Sequence, residues 1–311
     1  MKTFDAVVIG GGPAGMTAAL YLLRSHLNVA LVEKLSTGGQ MLMTERIDNY
    51  PGFPEGIEAW ELADRMAAQV KSWEHEESAR FNDEVKAIEP GEELHKVLVG
   101  DEWIAGRVVL ICSGAQYRRL GLPGEKELTG RGVSYCALCD GNFFRDKEVA
   151  VIGGGNSALE EALYLARLVK KLHLIHRRDD FRATKCYQNK CFVNPKMQIL
   201  RSSVVLRILG ETEVTGITLQ DLKNGEIRDI PLDGVFIFVG FEPQGSAFFP
   251  ESLQKDGHGF LITDQEMRTN IPGIYAAGDI RSKTCRQVAS AVGDGAVAAH
   301  NMMSYLEHHG K

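Results

Sequence analysis

Short apolar runs recur along the chain, and several of them end in a glycine-rich turn that leads into a helical pattern. Residues 5–10 form such a run and end at Gly10, and residues 16–23 then carry apolar side chains with a helical period. Alternation of short apolar strands with helices is typical of a parallel sheet covered by helices. The pattern therefore predicts an α/β fold.

The strand–turn–helix pattern at the start of the chain occurs a second time. Moving the first copy along by 143 residues (153 − 10 = 143) places Gly10 on Gly153. The same offset places Gly12 on Gly155, Tyr21 on Tyr164 and Arg24 on Arg167. An internal repeat of this kind predicts two nucleotide-binding units within one chain.

The first copy carries a dinucleotide-binding fingerprint between its strand and its helix. Gly10–Gly15 has the spacing G-x-G-x-x-G, which lets the backbone turn tightly and approach a pyrophosphate, while the helix N-terminus offers N–H groups to the anion. A second strand, 28–32, ends in Glu33, which lies 23 residues after Gly10 (33 − 10 = 23). A carboxylate there accepts hydrogen bonds from ribose hydroxyls, so a dinucleotide with a free ribose is predicted.

The second copy differs from the first at the ribose position. The same offset places His176 where the first copy has Glu33. Three arginines follow the histidine: Arg177, Arg178 and Arg182. Guanidinium groups bind a 2′-phosphate well, whereas an acid would repel it. The second unit is therefore predicted to bind NADPH rather than NADH, and the alternative is a solvated basic turn.

Two cysteines at C-x-x-C spacing, Cys136 and Cys139, lie between the two copies and are followed directly by Asp140. Thiols this close form and open a disulfide, one of them often has a lowered pKa, and an adjacent acid can move the proton. The competing interpretation is half of a zinc site, which usually needs a second C-x-x-C or a histidine pair. No two of the other four cysteines have this spacing, so redox chemistry is preferred and no metal is expected.

The remaining patterns complete the predicted elements. Asn224-Gly225 predicts a hairpin turn. Cys112 ends a buried strand and suits a core, whereas Cys186 and Cys191 are interpreted as packed or surface thiols. Helices are expected at 58–75, 184–197 (turning at Asn194-Pro195) and 289–299, and strands at 108–111, 199–209, 213–220, 226–230, 235–239 and before Asp279.

Length and composition limit the class of protein. The 311 residues suffice for two domains with their own cores, and a net charge of −6 does not suggest a nucleic-acid partner. Six scattered cysteines fit a reducing cytoplasm better than a secreted disulfide scaffold. No signal peptide is expected, because the first residues lead directly into a strand-like run, and apolar runs such as 235–241 are too short to span a membrane.

These features together predict a path for electrons. NADPH gives two electrons as hydride, which a disulfide does not readily accept, whereas a flavin accepts hydride and reduces disulfides. The first site is therefore predicted to hold FAD. Because the cysteine pair adjoins the second nucleotide unit and both must reach the flavin, we expect their domain to swing on hinges near 115–120 and 241–246.

The full set of motifs resembles the bacterial-type, low-molecular-weight thioredoxin reductases over nearly the whole chain. The resemblance implies a homodimer in which each chain has two Rossmann-like dinucleotide-binding domains. FAD-domain segments at 1–115 and 245–311 would enclose an inserted NADPH domain at 116–244. The residues that carry the resemblance are Gly10–Gly15, Gly38–Gln40, Asn49–Gly52, Cys136–Gly141, Gly153–Ala158, His176–Ala183, Ala276–Asp279 and Arg286-Gln287.

The resemblance also implies roles for individual residues. Cys139 would be the sulfur nearest the flavin, Cys136 the sulfur that attacks the disulfide of thioredoxin, and Asp140 the acid/base. The implied FAD contacts are Gly10, Gly12, Pro13, Ala14, Gly15, Glu33, Lys34, Gly38, Gly39, Gln40, Asn49, Gly114, Gly278, Asp279, Arg286, Gln287 and Val288. The implied NADPH contacts are Gly153, Gly155, Asn156, Ser157, His176, Arg177, Arg178 and Arg182.

Several other functions are compatible with parts of the sequence. A reductase of the same architecture could serve a peroxiredoxin or another dithiol carrier, although such flavoproteins often carry an additional thioredoxin-like domain. Ferredoxin–NADP reductases of this fold lack the cysteine pair, and ferredoxin-dependent relatives and dithiol oxidases lack the arginine motif. From a different class, a nucleotide-binding redox sensor would turn over little, so a steady NADPH-dependent disulfide reductase rate would exclude it.

Overall fold

A computed structural model describes residues 1–44 and 46–309 of the chain. Glu45, Gly310 and Lys311 lie outside the described residues, so the predicted last segment, 245–311, is described as far as His309. The chain divides into two compact units, of which unit 1 comprises Met1–Gln116 and Glu242–Lys311 and unit 2 comprises Tyr117–Phe241. Unit 2 is therefore an insertion in the sequence of unit 1.

The first segment of unit 1 begins with a buried strand and a helix. Helix α1 starts at Pro13, where the missing N–H of proline costs no hydrogen bond. In chain order the elements are β1 (Lys2–Ile9), α1 (Pro13–Arg24), β2 (Val29–Val32), β3 (Arg46–Ile47), β4 (Ile57–Glu58), α2 (Ala59–Lys71), β5 (Ala79–Phe81), β6 (Val85–Glu89), β7 (His95–Val99), β8 (Glu102–Ile111) and β9 (Ala115–Tyr117).

Unit 2 contains the second copy of the strand–turn–helix pattern. In chain order its elements are β10 (Val133–Ser134), α3 (Ala137–Asp140), β11 (Glu148–Gly153), α4 (Asn156–Leu165), β12 (Lys171–Ile175), α5 (Lys185–Phe192), β13 (Met197–Leu200), β14 (Ser203–Leu209), β15 (Gly216–Asp221), β16 (Ile227–Pro231) and β17 (Gly234–Phe238). The chain returns to unit 1 through β18 (Phe241–Pro243) and continues with β19 (Ile274–Ala276) and α6 (Val288–His308). Strands β9 and β18 pair with each other where the chain passes between the units.

A seven-stranded sheet forms the centre of unit 1. Its strand order is β5-β2-β1-β8-β7-β6, with β19 also paired to β8. Strands β5, β2, β1, β8 and β19 are parallel, while β7 and β6 are antiparallel additions. Helices α1, α2 and α6 pack on one face of the sheet and form a single apolar cluster with it. Phe249, Leu253 and Leu261 help to cover the other face.

Two sheets form unit 2. The first has five parallel strands in the order β10-β17-β11-β12-β13, and the second is the antiparallel sheet β14-β15-β16. Strand β11 lies between β12 and β17 just as β1 lies between β2 and β8. The predicted repeat is confirmed at the helices as well, because Pro13 and Asn156 each begin a helix and are 143 residues apart (156 − 13 = 143). The predicted α/β fold with two Rossmann-like units is therefore confirmed.

The element boundaries differ from the expected ones in several places. The helix expected at 184–197 ends at Phe192, because Asn194-Pro195 cannot continue it, and β13 begins at Met197. The single strand expected at 199–209 is divided at Ser202, whose φ of 47° turns the chain from the parallel into the antiparallel sheet. The last helix extends to His308 rather than ending at residue 299.

Cys112 is a core residue, as predicted. It lies at the end of β8, is 6% exposed and belongs to the cluster beneath α1 and α6. Burial raises the pKa of its thiol well above the ordinary value, so the thiol stays protonated. Among residues 1–44 and 46–309, no helix is both long and apolar enough to cross a bilayer.

Candidate active site

The turn from β1 into α1 accepts only glycine at two positions. Gly10 has a φ of 110°, and a Cβ there would collide with the carbonyl oxygen of Cys112. A Cβ on Gly15 would collide with the carbonyl of Gly10. A Cβ on Gly12, by contrast, would have no heavy atom within 4 Å. The backbone is thus packed tightly on the sheet side and open at the start of α1, which is the arrangement that a pyrophosphate requires.

Glu33 is held beside this loop, at the end of β2. Its Oε2 accepts the N–H of Gly11 at 2.7 Å, and its Oε1 accepts the N–H of Leu35 at 3.0 Å. Each carboxylate oxygen keeps a further lone pair, so the group can still accept ribose hydroxyls. The neighbouring Lys34 is exposed and reaches Glu84 at 3.8 Å.

A second glycine pair lies against the first loop. Gly38 has a φ of 124° and donates its N–H to the carbonyl of Gly11 at 2.8 Å. A Cβ on Gly39 would lie 3.3 Å from the Cα of Gly12, so this position also favours a small residue. The side-chain amide of Gln40 donates to the carbonyl of Ala115. Residues 38–40, predicted from sequence to contact the cofactor, therefore lie beside the glycine loop in unit 1.

The N-terminal end of α6 brings together residues that are distant in sequence. The side-chain amide of Asn49 donates to Gln287 Oε1 at 3.0 Å, although 238 residues separate them. Gln287 caps α6 with Ser290, and Val288 is the first helical residue. The guanidinium of Arg286 donates to the carbonyls of Lys283 and Arg281 at 2.9 and 3.1 Å, which fixes the loop before the helix.

Asp279 supplies a buried acceptor at the end of β19. Its Oδ1 is buried and has no hydrogen-bond partner among the described residues, and Lys283 Nζ lies 3.8 Å away. Burial raises the pKa of the carboxyl, and the charges of Lys283 and Arg286 only partly oppose the shift. A buried acceptor without a donor is costly unless a ligand hydroxyl supplies one. Together with the open glycine loop and Glu33, this orphan oxygen fits a flavin dinucleotide in unit 1.

A buried charge network behind Asp279 was not predicted from sequence. Asp294, on α6, accepts from Lys283 Nζ at 2.9 Å and from the N–H of Gly278 at 3.0 Å, and it pairs with Arg281 at 2.9 Å. The available signal was an acid between Gly293 and Gly295 in an otherwise small and apolar helix. A Cβ on Gly295 would collide with the carbonyl of Ala14, so the network lies where α6 packs closely on α1.

Replacing Asp279 with asparagine is expected to weaken retention of the flavin and to stabilise the apoprotein. One lost charge-assisted hydrogen bond corresponds to a roughly 10- to 150-fold weaker Kd. Because burial raises the folded-state pKa of Asp279, ionisation opposes folding at neutral pH and ceases to do so as pH falls through that pKa. The gain in apoprotein Tm should therefore be largest near neutral pH and vanish in acid. Flavin release and thermal unfolding across pH measure both effects.

Asp256 provides a matched control, because its pKa is shifted in the opposite direction to that of Asp279. Burial acts to raise its pKa, but hydrogen bonds from Ser282, His258 and Phe260 lower it overall. Asp256→Asn should therefore destabilise the apoprotein at neutral pH, with the loss fading as pH falls through the lowered folded-state pKa. If Asp279→Asn behaved like Asp256→Asn, the assignment of Asp279 Oδ1 as a buried acceptor without a hydrogen-bond donor would be wrong.

The glycine loop of unit 2 repeats these features. A Cβ on Gly153 would lie 2.5 Å from both the carbonyl oxygen of Phe238 and the Cβ of Ala158, whereas a Cβ on Gly155 would meet nothing within 4 Å. Asn156 begins α4 and accepts the N–H of Thr184 at 2.8 Å through its side chain. Ser157 follows on the exposed side of the same turn. This second loop is likewise open at the helix N-terminus.

The predicted cationic cluster at the end of β12 divides into two parts. His176 is 8% exposed, stacks on Phe181 with ring centroids 4.8 Å apart, and fills the space that a side chain at position 154 would need. Burial lowers its pKa, so this imidazole is largely neutral at neutral pH. The exposed positive charge belongs to the three arginines at positions 177, 178 and 182. The histidine thus shapes the loop, and the guanidinium groups are the part that suits a 2′-phosphate.

The redox pair lies at the start of α3, a single helical turn. A disulfide joins Cys136 to Cys139, whose Cα atoms are 5.3 Å apart. Cys136 precedes the helix as its N-cap, and its Sγ accepts the N–H of Cys139 at 3.2 Å. A hydrogen bond from a helix N-terminal N–H favours a thiolate after reduction. The structure supports redox chemistry over a zinc half-site, since sulfurs bonded to each other are not metal ligands.

Asp140 is fixed to the same turn by a buried serine. Ser134 Oγ donates to Asp140 Oδ2 at 2.6 Å and accepts the N–H of Cys136 at 3.1 Å. The N–H of Asp140 in turn bonds the carbonyl of Cys136 at 3.1 Å. Sequence reasoning identified the acid but not Ser134, which ties the acid to the backbone of the redox pair.

Comparison with known proteins gives a consistent result. The family model for pyridine nucleotide-disulphide oxidoreductases matches residues 4–295. The chain belongs to this family. It is 43% identical over 307 residues to a thioredoxin reductase of Listeria monocytogenes, covering 98% of this chain and 95% of the relative. A thioredoxin reductase of Bacillus subtilis is also 43% identical, with 98% and 96% coverage.

Solved structures lead to the same assignment. A thioredoxin reductase from Streptococcus pyogenes has a TM-score of 0.92 and 44% identity, covering 98% of this chain and 99% of that chain. The resemblance inferred from the motifs is thus confirmed at the level of the family. As a member of the pyridine nucleotide-disulphide oxidoreductases, the chain is an oxidoreductase, and membership implies the use of a flavin and a pyridine nucleotide.

Proposed function

We propose that this chain is an NADPH-dependent thioredoxin-disulfide reductase that uses FAD. The observation that carries the proposal is the Cys136–Cys139 disulfide, which lies in the unit that also contains the arginine-lined nucleotide loop. The names of its relatives support thioredoxin as the disulfide substrate. FAD, when bound in unit 1, supplies a carrier that can take two electrons from NADPH and pass them to a disulfide.

The proposed binding residues follow from the two loops. In unit 1 the glycine loop, Glu33, residues 38–40 and the buried Asp279 would hold FAD. In unit 2 the open loop at Gly155, with Arg177, would receive the NADPH phosphates. Arg178 and Arg182 share the second role as exposed cations near the strand end.

The cysteines would reduce thioredoxin by two thiol–disulfide exchanges. Reduction of the internal disulfide breaks its S–S bond, adds two electrons and leaves Cys136 and Cys139 as thiols or thiolates. The Cys136 thiolate then attacks the thioredoxin disulfide, forming a mixed disulfide and releasing one thioredoxin sulfur. Cys139 attacks Cys136 Sγ, which restores the internal disulfide and releases the second sulfur. Two protons reach the thioredoxin thiols, and Asp140 is positioned on this turn to transfer them.

The surface beside the redox pair suits an approaching protein. Leu138, between the cysteines, is 44% exposed, and Phe143 is 48% exposed. Exposed apolar side chains at a reactive centre favour docking of a protein substrate over a small thiol. Leu138 lies between the two cysteines, so its contact with an incoming protein is a candidate determinant of partner preference.

Replacing Asp140 with asparagine is expected to slow disulfide exchange by roughly 100-fold, because asparagine cannot transfer a proton. The change should flatten one limb of the pH–rate profile for thioredoxin reduction while leaving flavin reduction by NADPH unchanged. Ser134→Ala removes only the hydroxyl that holds the carboxylate and should give a smaller effect in the same direction. An unaltered pH–rate profile in Asp140→Asn would remove this residue from the mechanism.

The function is tested by titrating the purified protein with NADPH or NADH and then adding oxidised thioredoxin. Preferential loss of flavin absorbance with NADPH, followed by its catalytic recovery with thioredoxin, is the expected result. If NADPH bleaches the flavin and thioredoxin does nothing, the substrate is another dithiol carrier. If neither nucleotide bleaches it, the proposed NADPH site is wrong.

We further propose a homodimer that works in the cytoplasm, where thiols stay reduced. The proposed cycle includes rotation of unit 2 about the segments near 115–120 and 241–246. Support for this hinge is that the chain passes between the units only at β9 and β18. Cross-linking the two units at these segments should block turnover while leaving both nucleotides able to bind.

A further inference from the structure

Glu161 lies on the face of α4 that packs against the redox helix. It is three residues after Ala158 and four before Leu165, which belong to the same buried cluster as Ala137 of α3. Residues spaced three or four apart share one helix face. The packing is close, since a Cβ added to Gly141, just after α3, would lie 3.1 Å from a methyl group of Leu165. A carboxyl group is thus inserted into an apolar contact beneath the cysteines.

This carboxyl is incompletely paired. Glu161 Oε2 is buried and has no hydrogen-bond partner within the described parts of the chain. Burial raises its pKa, the backbone N–H groups of Ala137 and Leu138 act in the opposite direction, and the charge of Glu160 raises it further. A leucine would fill the same space without burying an unpaired carboxyl oxygen, but it would leave the N–H groups of Ala137 and Leu138 without this acceptor. Packing alone therefore does not account for a glutamate at this position.

The two N–H groups that face Glu161 belong to the two residues between the redox cysteines. Their direction is part of the turn that places Cys136 Sγ within 3.2 Å of the N–H of Cys139. Once the disulfide is reduced, that N–H favours a thiolate at Cys136, whereas a nearby carboxylate disfavours it by like-charge repulsion. Glu161 is placed to affect both the geometry of the turn and the charge of the nucleophile.

We propose that Glu161 is a positioning residue of the redox pair, which holds the turn at residues 137 and 138 and raises the pH at which the reduced pair forms its thiolate. The inference rests on the proposed function in taking the thiolate as the nucleophile of disulfide exchange. It assigns to the enzyme a second acid that acts through the turn, in addition to Asp140, which follows the cysteines directly.

Ionisable groups lie on α4 and on α3 and α5, the two helices that pack against it. Glu160 is its neighbour on α4, and Asp140 lies on α3, bonded to Ser134. From α5, the hydroxyl of Tyr187 bonds Glu160, and the buried thiol of Cys191 donates to the carbonyl of Leu159. Burial raises the pKa of Cys191 to about 11, so it stays neutral over the working range.

The test uses the reduced holoenzyme with Glu161→Gln, in which a neutral amide replaces the carboxyl. Thiolate formation is measured as the pH dependence of alkylation by iodoacetamide. We expect the apparent pKa of the pair to fall by about one unit, a tenfold change in the thiolate–thiol equilibrium. Glu161→Leu should give the same shift in thiol pKa but a lower Tm than Glu161→Gln, because leucine offers the N–H groups of Ala137 and Leu138 no acceptor. Loss of a purely structural residue would not move the thiol pKa.

Glu160→Gln is the matched control, because it removes the same charge from the next, exposed position of α4. Its apparent thiol pKa should stay within a few tenths of the wild-type value. Equal shifts in Glu160→Gln and Glu161→Gln, or no shift in both Glu161 variants, would overturn the proposal. Neither the alkylation measurement nor the Tm measurement uses thioredoxin. Both therefore remain interpretable even if the protein does not reduce thioredoxin. If Glu161→Gln fails to fold, Glu161→Leu decides the question alone.

Discussion

Replacing either redox cysteine with serine is expected to lower NADPH-dependent thioredoxin reduction by about 1,000-fold or more, while NADPH still bleaches the flavin. Serine cannot form a disulfide, so the internal acceptor of electrons is lost. The nucleotide loops lie elsewhere in sequence and are unaffected, with the first in unit 1 and the second after β11. Stopped-flow absorbance separates the two half-reactions. Cys186→Ser is the control, since Cys186 is an exposed thiol on α5.

The two serine variants also distinguish the roles of the sulfurs. A thioredoxin with a single cysteine can be presented as a mixed disulfide with an aromatic thiol. In Cys139→Ser, the Cys136 thiolate should attack the thioredoxin sulfur, expel the coloured thiol and remain joined to thioredoxin, because no second cysteine resolves the product. The N-cap position of Cys136 and its hydrogen bond from Cys139 favour this assignment. Capture by Cys136→Ser instead would exchange the two roles, and full activity in either variant would refute the redox assignment.

The glycine loops show which parts of the site a sequence can predict. Backbone geometry within a few residues requires Gly10 and Gly15, and Gly12 leaves the start of α1 open, so the spacing of the three glycines carries the information. The repeat then located the second loop and the arginines from the first. His176 was placed correctly by the same offset, but its orientation depends on the empty space above Gly154, which the offset does not reveal. Its burial and lowered pKa separate it from the exposed arginines.

The residues that sequence reasoning missed depend on contacts between distant elements. Glu160 and Glu161 are adjacent acids on one helix, and only the packing of α3 shows that the second faces inward. Asp294 pairs with Lys283 and Arg281 through the return of α6 over the sheet. Ser202 adopts a left-handed conformation that a serine rarely takes, so the division of β13 from β14 had no local signal. Tertiary contacts determine all three features.

Replacing Arg177 and Arg178 together with alanine is expected to raise the KM for NADPH by roughly 100-fold or more and to change the KM for NADH little. Each charge-assisted contact to a 2′-phosphate contributes roughly 1.5–3 kcal/mol, and NADH has no such phosphate. Both arginines are exposed at the end of β12, while the nearby Asp179 is bonded to Lys223 at 2.7 Å and to Ser202 at 2.8 Å. The acid is therefore already paired, and its charge competes less for the guanidinium groups.

Steady-state kinetics with both nucleotides measure this selectivity, and the salt dependence of the NADPH KM provides a second readout. Loss of two cationic contacts should make that KM less sensitive to ionic strength, because the remaining attraction depends less on charge. Arg131→Ala, at an exposed arginine of the same unit, should leave the ratio of the two KM values unchanged. If the double variant impaired NADPH and NADH equally, the arginines would support the loop rather than bind a 2′-phosphate. Selectivity for NADPH would then have to arise at Arg182 or outside this strand end.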